Sequence, residues 1–141
     1  MKVYLDTSFL VPLYVKDLHS PEALQRMKSR PMVWLTPLNV AEFSHAVGRQ
    51  IFLNKISPLQ SDTVHQNFTA DRTAGLWLET AMPDQALELC SELGRRWGSK
   101  IGIRTLDSLH VACALELKAD QFWTFDERQS KLAKAEGLKT S

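Results

Sequence analysis

Apolar positions along the chain fall into two alternating kinds of segment. Short runs dense in valine, leucine and aromatics predict buried strands, and longer stretches with apolar residues three or four apart predict amphipathic helices. The first run, residues 2–5, reads as a strand that ends in an acid, Asp6. Thr7 or Ser8 then caps a helix through about residue 17, with Pro12 tolerated near its first turn. Ser20-Pro21 sets a hydroxyl at a cap and proline at the first helical position, which starts a second short helix. Residues 32–35 read as the second strand. Thr36-Pro37 repeats the cap-then-proline signal and begins a long helix to about residue 53, its inner face drawn from Leu38, Val40, Ala41, Val47 and Ile51.

The second half continues the alternation. Ser57-Pro58-Leu59-Gln60 combines a capping box with proline at the first helical position, predicting a helix to about residue 72. Residues 75–80 form a candidate short strand, and residues 83–97 have helical spacing in Ala86, Leu89, Cys90 and Leu93. Thr105 caps a helix through about residue 118, packed on Leu109, Ala112, Cys113 and Leu115. Residues 121–125 make an aromatic strand ending at Asp126, and a last helix over 127–136 stops at Gly137, leaving Leu138-Lys139 for an edge strand. Alternating strands and helices predict an α/β fold with a parallel sheet covered on both faces.

Composition narrows the class. The length of 141 residues, with 44% hydrophobic and 23% charged positions, suits a single domain over residues 1–141 and excludes disordered or low-complexity chains. Seventeen basic residues against sixteen acidic ones leave a net charge of +1, so a polyanionic partner would need a local patch or a bound cation. Cys90 and Cys113 form no CxxC motif and read as buried reduced thiols. An acid at position 6 interrupts any signal-peptide core, and no apolar stretch approaches the roughly 18 residues of a membrane span. The expectation is a soluble cytoplasmic protein with no membrane association.

In an open parallel sheet, ligands bind beyond the carboxyl ends of the strands. Asp6 and Asp126 end two predicted strands; Asp107 lies in the first turn of one helix and Glu42 further into another. Each has an ordinary reading: turn residue, helix-dipole partner or solvated helix position. Convergence changes the argument, because two carboxylates about 5 Å apart repel by roughly 3 kcal/mol at an effective dielectric of 20. A fold keeps such a cluster only with protons or cations, and oxygen donors without a cysteine or histidine motif favour Mg2+ or Mn2+ over zinc.

The segments Val3-Tyr4-Leu5-Asp6-Thr7-Ser8, Ala41-Glu42-Phe43, Leu106-Asp107-Ser108-Leu109-His110-Val111-Ala112 and Thr124-Phe125-Asp126 resemble, in order and spacing, the PIN-domain family and its VapC-like toxins. The likeness covers essentially the whole chain. It implies a PIN-like three-layer α/β/α sandwich with a central, mainly parallel sheet. It also implies a Mg2+- or Mn2+-dependent endoribonuclease leaving 5′-phosphate and 3′-hydroxyl ends on a structured RNA such as tRNA or rRNA. Carried over, Asp6, Glu42, Asp107 and Asp126 form the catalytic cluster. Asp6, Asp107 and Asp126 are its metal ligands, with Glu127 a stand-in for Asp126, and Thr7, Ser8 and Thr124 position them. A homodimer and a small inhibitory antitoxin protein are implied too. Ser108 stands where the family often has alanine.

Other residues keep two readings. Arg95, Arg96, Lys100 and Arg104 either hold RNA phosphates or belong to a solvated loop, and Trp97 either stacks on a base or fills the core. His110 reads as a hydrogen-bonded structural residue. His45 and Arg49 lie one and two turns beyond Glu42 on a solvated or substrate-facing side, and Tyr14, Val15 and Leu18 line a groove or fill the core. His19 and His65 carry no signal. A non-catalytic PIN-fold RNA- or protein-binding module, and a receiver- or phosphatase-like acid pocket, are the competing functions. The receiver would want a lysine at a strand end, and no predicted strand end supplies one.

Overall fold

The computed structural model describes residues 1–140. Strands β1 (Lys2–Leu5), β2 (Met32–Leu35), β3 (Trp77–Glu79) and β4 (Gln121–Trp123) form one sheet in the order β3-β2-β1-β4. Every pairing is parallel, with Val3 opposite Val33, Tyr4 opposite Phe122 and Trp34 opposite Leu78. The helices are α1 (Thr7–Leu10), α2 (Ser20–Met27), α3 (Pro37–Phe52), α4 (Pro58–Thr73), α5 (Ala86–Ile101), α6 (Thr105–Glu116) and α7 (Glu127–Ala135).

After the exposed Lys2, β1 is apolar and buried because both of its faces are covered. Val3 and Leu5 enter one core with Phe9, Val33, Phe43 and Phe68, whereas Tyr4 enters the other with Leu93, Cys113, Phe122 and Leu132. This alternation produces the three-layer α/β/α sandwich expected from the sequence: α1–α4 contribute to the first core and α5–α7 to the second. No helix among the described residues is long and apolar enough to cross a membrane.

Several local expectations change. Asp6, not Thr7 or Ser8, caps α1 by accepting from the Phe9 amide. The helix gives way to a 3-10 turn over Val11–Leu13 and stops short of residue 17, because Pro12 has no amide hydrogen with which to extend it. Ser20 does not cap α2 either. Its hydroxyl donates to the Pro12 carbonyl and accepts from the Asp17 amide, pinning the preceding loop.

Thr36 caps α3 as expected, but the buried stripe is Asn39, Phe43 and Val47. Asn39 turns inward because its amide donates to the Leu5 carbonyl and accepts from Thr36; Leu38, Val40 and Ile51 are left half-buried and Ala41 exposed. The Ser57–Gln60 capping box starts α4 as read. Helix α5 starts at Ala86 and runs four residues beyond its expected end, to a left-handed Gly102 (φ 69°). Arg95, Arg96 and Lys100 are therefore helical and not in a loop. Arg104, not Thr105, precedes α6, with no side-chain cap. Near the carboxyl terminus Lys139 makes a single parallel bridge to Gln121.

Candidate active site

The parallel sheet brings the ends of β1 and β4 side by side, and two hydroxyls stitch them. Ser8 Oγ donates to Asp6 Oδ1 (2.7 Å), accepts from the Phe125 amide (2.9 Å) and lies 3.1 Å from Thr124 Oγ1. Thr124 Oγ1 in turn accepts from the Asp126 amide (2.9 Å). Asp6 is 1% exposed. That burial raises its pKa to about 6, against the opposing pull of the His110 charge and the Ser8 and Thr124 hydroxyls.

Asp126 caps α7, its Oδ1 accepting from the Gln129 amide at 2.9 Å; Glu127 beside it is exposed. Asp107 is buried in the first turn of α6, where an acid favours the helix dipole. Its Oδ2 accepts from Arg104 Nε (3.1 Å) and its Oδ1 from Gln129 Nε2 (3.0 Å). Arg104 is raised by Asp107 first and by Asp126 and Glu42 after it, so one solvent-facing guanidinium lies in the field of three of the four acids.

Glu42 approaches from α3, half-buried, with Oε1 accepting from Thr7 Oγ1 (2.6 Å) and His110 Nε2. His110 is buried, and its Nδ1 meets the Tyr4 hydroxyl at 2.9 Å. Both contacts are satisfied with the ring neutral, Tyr4 donating to Nδ1 and Nε2–H to Glu42, or charged, with Nδ1–H donating to the Tyr4 oxygen instead. Burial would raise the Glu42 carboxyl, but the His110 hydrogen bond and charge, then Thr7 and Arg104, leave it below its ordinary value. The structural role read for His110 thus has specific partners on β1 and α3.

A cleft of about 420 Å³ lies over Glu42, Arg104, Thr105, Leu106 and Asp107. It shares Glu42, Arg104 and Leu106 with a larger one of about 730 Å³ along α3, whose walls include Leu38, His45 and Arg49. Another cavity, of about 530 Å³ at the ends of β2 and β3, holds none of the four acids; its Glu79 is paired to Arg72 at 2.6 Å. Of the basic residues singled out in the sequence, Arg104 sits at the acids. Arg96 grips Glu136 of α7 at 2.7 and 2.9 Å, Trp97 Nε1 donates to the same carboxylate (3.0 Å), and Lys100 lies 5.4 Å over the Trp97 ring. Arg95 is exposed on the same helix.

Val15 is core and Leu18 exposed, while Tyr14 donates to Asp71 (2.6 Å) amid Phe43, Phe68 and Trp77. His19 stacks on Phe125, and His65 meets the edge of Phe43. Cys90 and Cys113 are buried free thiols. Gln129, which contacts both Asp107 and Asp126, is absent from the residues singled out by sequence. Its spacing from Leu132 and Ala133, all three buried, is the signal that would have marked it as inward-facing.

The donor set fits a hard cation in its chemistry: carboxylate oxygens, one of them in a fully buried Asp6, and the Gln129 Oε1 buried without a partner. Among the described residues, no three Asp, Glu, His or Cys side chains are close enough to form a metal cage by themselves.

The fold and the sequence both have known counterparts. The sarcin-ricin loop cleaving toxin VapC20 of Mycobacterium tuberculosis superposes with a TM-score of 0.74 at 17% identity, over 99% of this chain and 98% of that one. FitAcB of Neisseria gonorrhoeae gives 0.71 at 14%, over 98% and 95%. VapBC2 of Rickettsia felis, bound to a DNA fragment from its promoter, gives 0.67 at 16%, over 100% and 98%. Identities this low establish a shared fold. None of the curated proteins matches the sequence. The PIN domain model matches residues 3–135, and the chain belongs to the PIN domain family.

Proposed function

We propose that the chain is a divalent-cation-dependent endoribonuclease whose catalytic centre is Asp6, Glu42, Asp107 and Asp126, and that it is the toxin of a VapBC-type toxin–antitoxin pair. The observation that carries the reading is that Arg104 lies in the field of Glu42, Asp107 and Asp126, acids from three separate segments. Asp6, Glu42, Asp107 and Asp126 are each held by a side chain from another part of the fold or by a helix amide. Membership of the PIN family and the likeness to VapC20 support it.

Asp6, Asp107 and Asp126 would hold the cation, Mg2+ or Mn2+. When bound, such an ion neutralises charge on the scissile phosphate and acidifies a water molecule. The chain's own contribution is orientation and proton handling. Ser8 and the Phe9 amide fix Asp6; Arg104 and Gln129 fix Asp107. Glu42 is ionised at neutral pH, and both of its bonds fall on Oε1, so Oε2 can accept the proton of the attacking water. Arg104 bonds Asp107 through Nε alone, so the rest of its guanidinium can meet a phosphate.

VapC20 is a sarcin-ricin loop cleaving toxin, and we extend that substrate class here to a structured RNA such as tRNA or rRNA. The cleft along α3, with Arg49 and Arg104 on its walls, would receive the antitoxin. A cytoplasmic homodimer acting through residues 1–141 as a single domain completes the reading.

A non-catalytic binding module is the competing reading, favoured by one observation: no three acids are drawn together into a cage. Incubation with total cellular RNA in Mg2+ or Mn2+, with EDTA and Asp107→Asn controls, separates the two. Discrete fragments with 5′-phosphates that need both metal and Asp107 support the nuclease. No cleavage by a folded protein free of inhibitor supports the module.

A further inference from the structure

Gln129 occupies the third position of α7, directly behind the cap at Asp126. It is 4% exposed. Its Nε2 donates to Asp107 Oδ1 at 3.0 Å, and its backbone amide donates to Asp126 Oδ1 at 2.9 Å. One residue therefore connects two acids that lie on different elements, one through its side chain and one through its backbone.

The amide is only partly used. A glutamine offers two N–H donors and a carbonyl oxygen with two lone pairs. Gln129 Oε1 is buried without a hydrogen-bond partner, whereas buried polar atoms in folded proteins are nearly always satisfied. Turning the amide over does not help, because it would set the carbonyl against the Asp107 carboxylate. Core filling does not explain the residue either. The other buried side chains of α7, Leu132 and Ala133, are apolar, and an apolar side chain would fill position 129 without leaving an orphaned oxygen.

We propose that Gln129 is a positioning residue that sets Asp107 and Asp126 for a hydrated divalent cation. Its Nε2 orients Asp107, and its Oε1 accepts a hydrogen bond from a water the cation carries. The inference rests on the cation-dependent reading of the site given above. Mg2+ and its close relatives keep several waters when protein-bound, and those waters are strong donors that need acceptors. A glutamine with one donor on a ligand and one open acceptor matches both requirements. Residues that hold metal ligands in this way typically change affinity by about 10–100-fold when replaced.

The test uses the full chain, free of RNA, with Mn2+ alone as probe: calorimetric titration, and thermal midpoints with and without the ion. Gln129→Met keeps the bulk and removes both polar atoms. It is expected to keep a metal-free midpoint close to that of the native protein while weakening Mn2+ binding by about tenfold or more. Gln129→Glu keeps the shape, removes the donor and adds a carboxylate beside Asp107. Its metal-free midpoint should fall, and Mn2+ should raise it by more than in the native protein. If the methionine variant does not fold, the glutamate variant carries the test. Affinity within twofold of native for Gln129→Met, or a Mn2+-induced gain for Gln129→Glu no larger than native, overturns the inference. Native protein that binds Mn2+ beside such variants leaves the nuclease reading intact. Native protein that binds no Mn2+ overturns both.

Discussion

Replacing Asp6 by asparagine should stabilise the metal-free protein, and the size of the gain follows from where Asp6 sits. Its carboxyl is 1% exposed, and burial moves its pKa from 3.8 to about 6. A folded-state value above the unfolded one means that the native protein holds the proton more tightly. The ionised form therefore destabilises the fold, by nothing at pH below about 4 and increasingly as pH rises toward 6, with the full effect above that. At 1.36 kcal/mol per unit the penalty above pH 6 is about 3 kcal/mol. Asparagine cannot ionise, yet its carbonyl can still accept from Ser8 Oγ and the Phe9 amide. Loss of the charged cap costs a few tenths of a kcal/mol at this helix start, leaving a net gain of about 2–3 kcal/mol. For a chain of this size that corresponds to a rise of roughly 6–12 °C in Tm. The assay is thermal denaturation by circular dichroism in EDTA from pH 4 to 8, both proteins side by side. The difference should open between pH 4 and 6 and stay open above. A gap that does not change with pH, or an Asp6→Asn protein less stable than native at pH 8, would falsify the reasoning.

Other expectations follow from the same geometry. Tyr4→Phe leaves His110 Nδ1 buried without its partner and should cost about 1–2 kcal/mol in urea unfolding with an unchanged m-value. Gly102→Ala places a side chain at φ 69° where nothing lies within 4 Å of the new Cβ. Its cost is therefore backbone strain alone, about 1 kcal/mol, measured by the same unfolding curve. Phe43→Ala, at a fully buried position on the inner stripe of α3, should cost about 3–5 kcal/mol. Asp107→Asn should abolish cation-dependent cleavage on an RNA gel while the far-UV circular dichroism stays native.

What the sequence made legible is what short-range chemistry decides. Strands β1 and β2 are apolar runs with sharp ends, and the boxes at Thr36–Asn39 and Ser57–Gln60 announce their helices through contacts spanning three residues. The place of Asp6 was legible for the same reason, since it directly follows β1; the strand expected to run to residue 125 stops at Trp123, and Thr124 and Phe125 lead from it to Asp126 at the cap of α7. The errors fall where a polar side chain finds its partner across the fold. Asn39 looks solvated until β1 is laid beside it and the Leu5 carbonyl becomes its acceptor; that one bond turns the stripe of α3 to Asn39, Phe43 and Val47. Arg96 reads equally as a phosphate ligand or a loop residue in the sequence, and it takes the fold to place it on α5 with Glu136 of α7 against it.

The site follows the same logic one level up. Of its acids, Asp6 stands at a strand end, which is a local event; Glu42 and Asp107 sit on helices, where spacing alone does not say what they face. The groups that aim them were not legible, because each spans elements: His110 of α6 needs Tyr4 from β1 and Glu42 from α3, and Gln129 of α7 needs Asp107 from α6. Those contacts make the orientation of the acids a property of the assembled sheet edge. A loosened α6–α7 packing would therefore move Asp107 and Asp126 relative to Asp6 without altering any acid. That is why Gln129→Met, which removes no charge, is expected to weaken cation binding while leaving the fold in place.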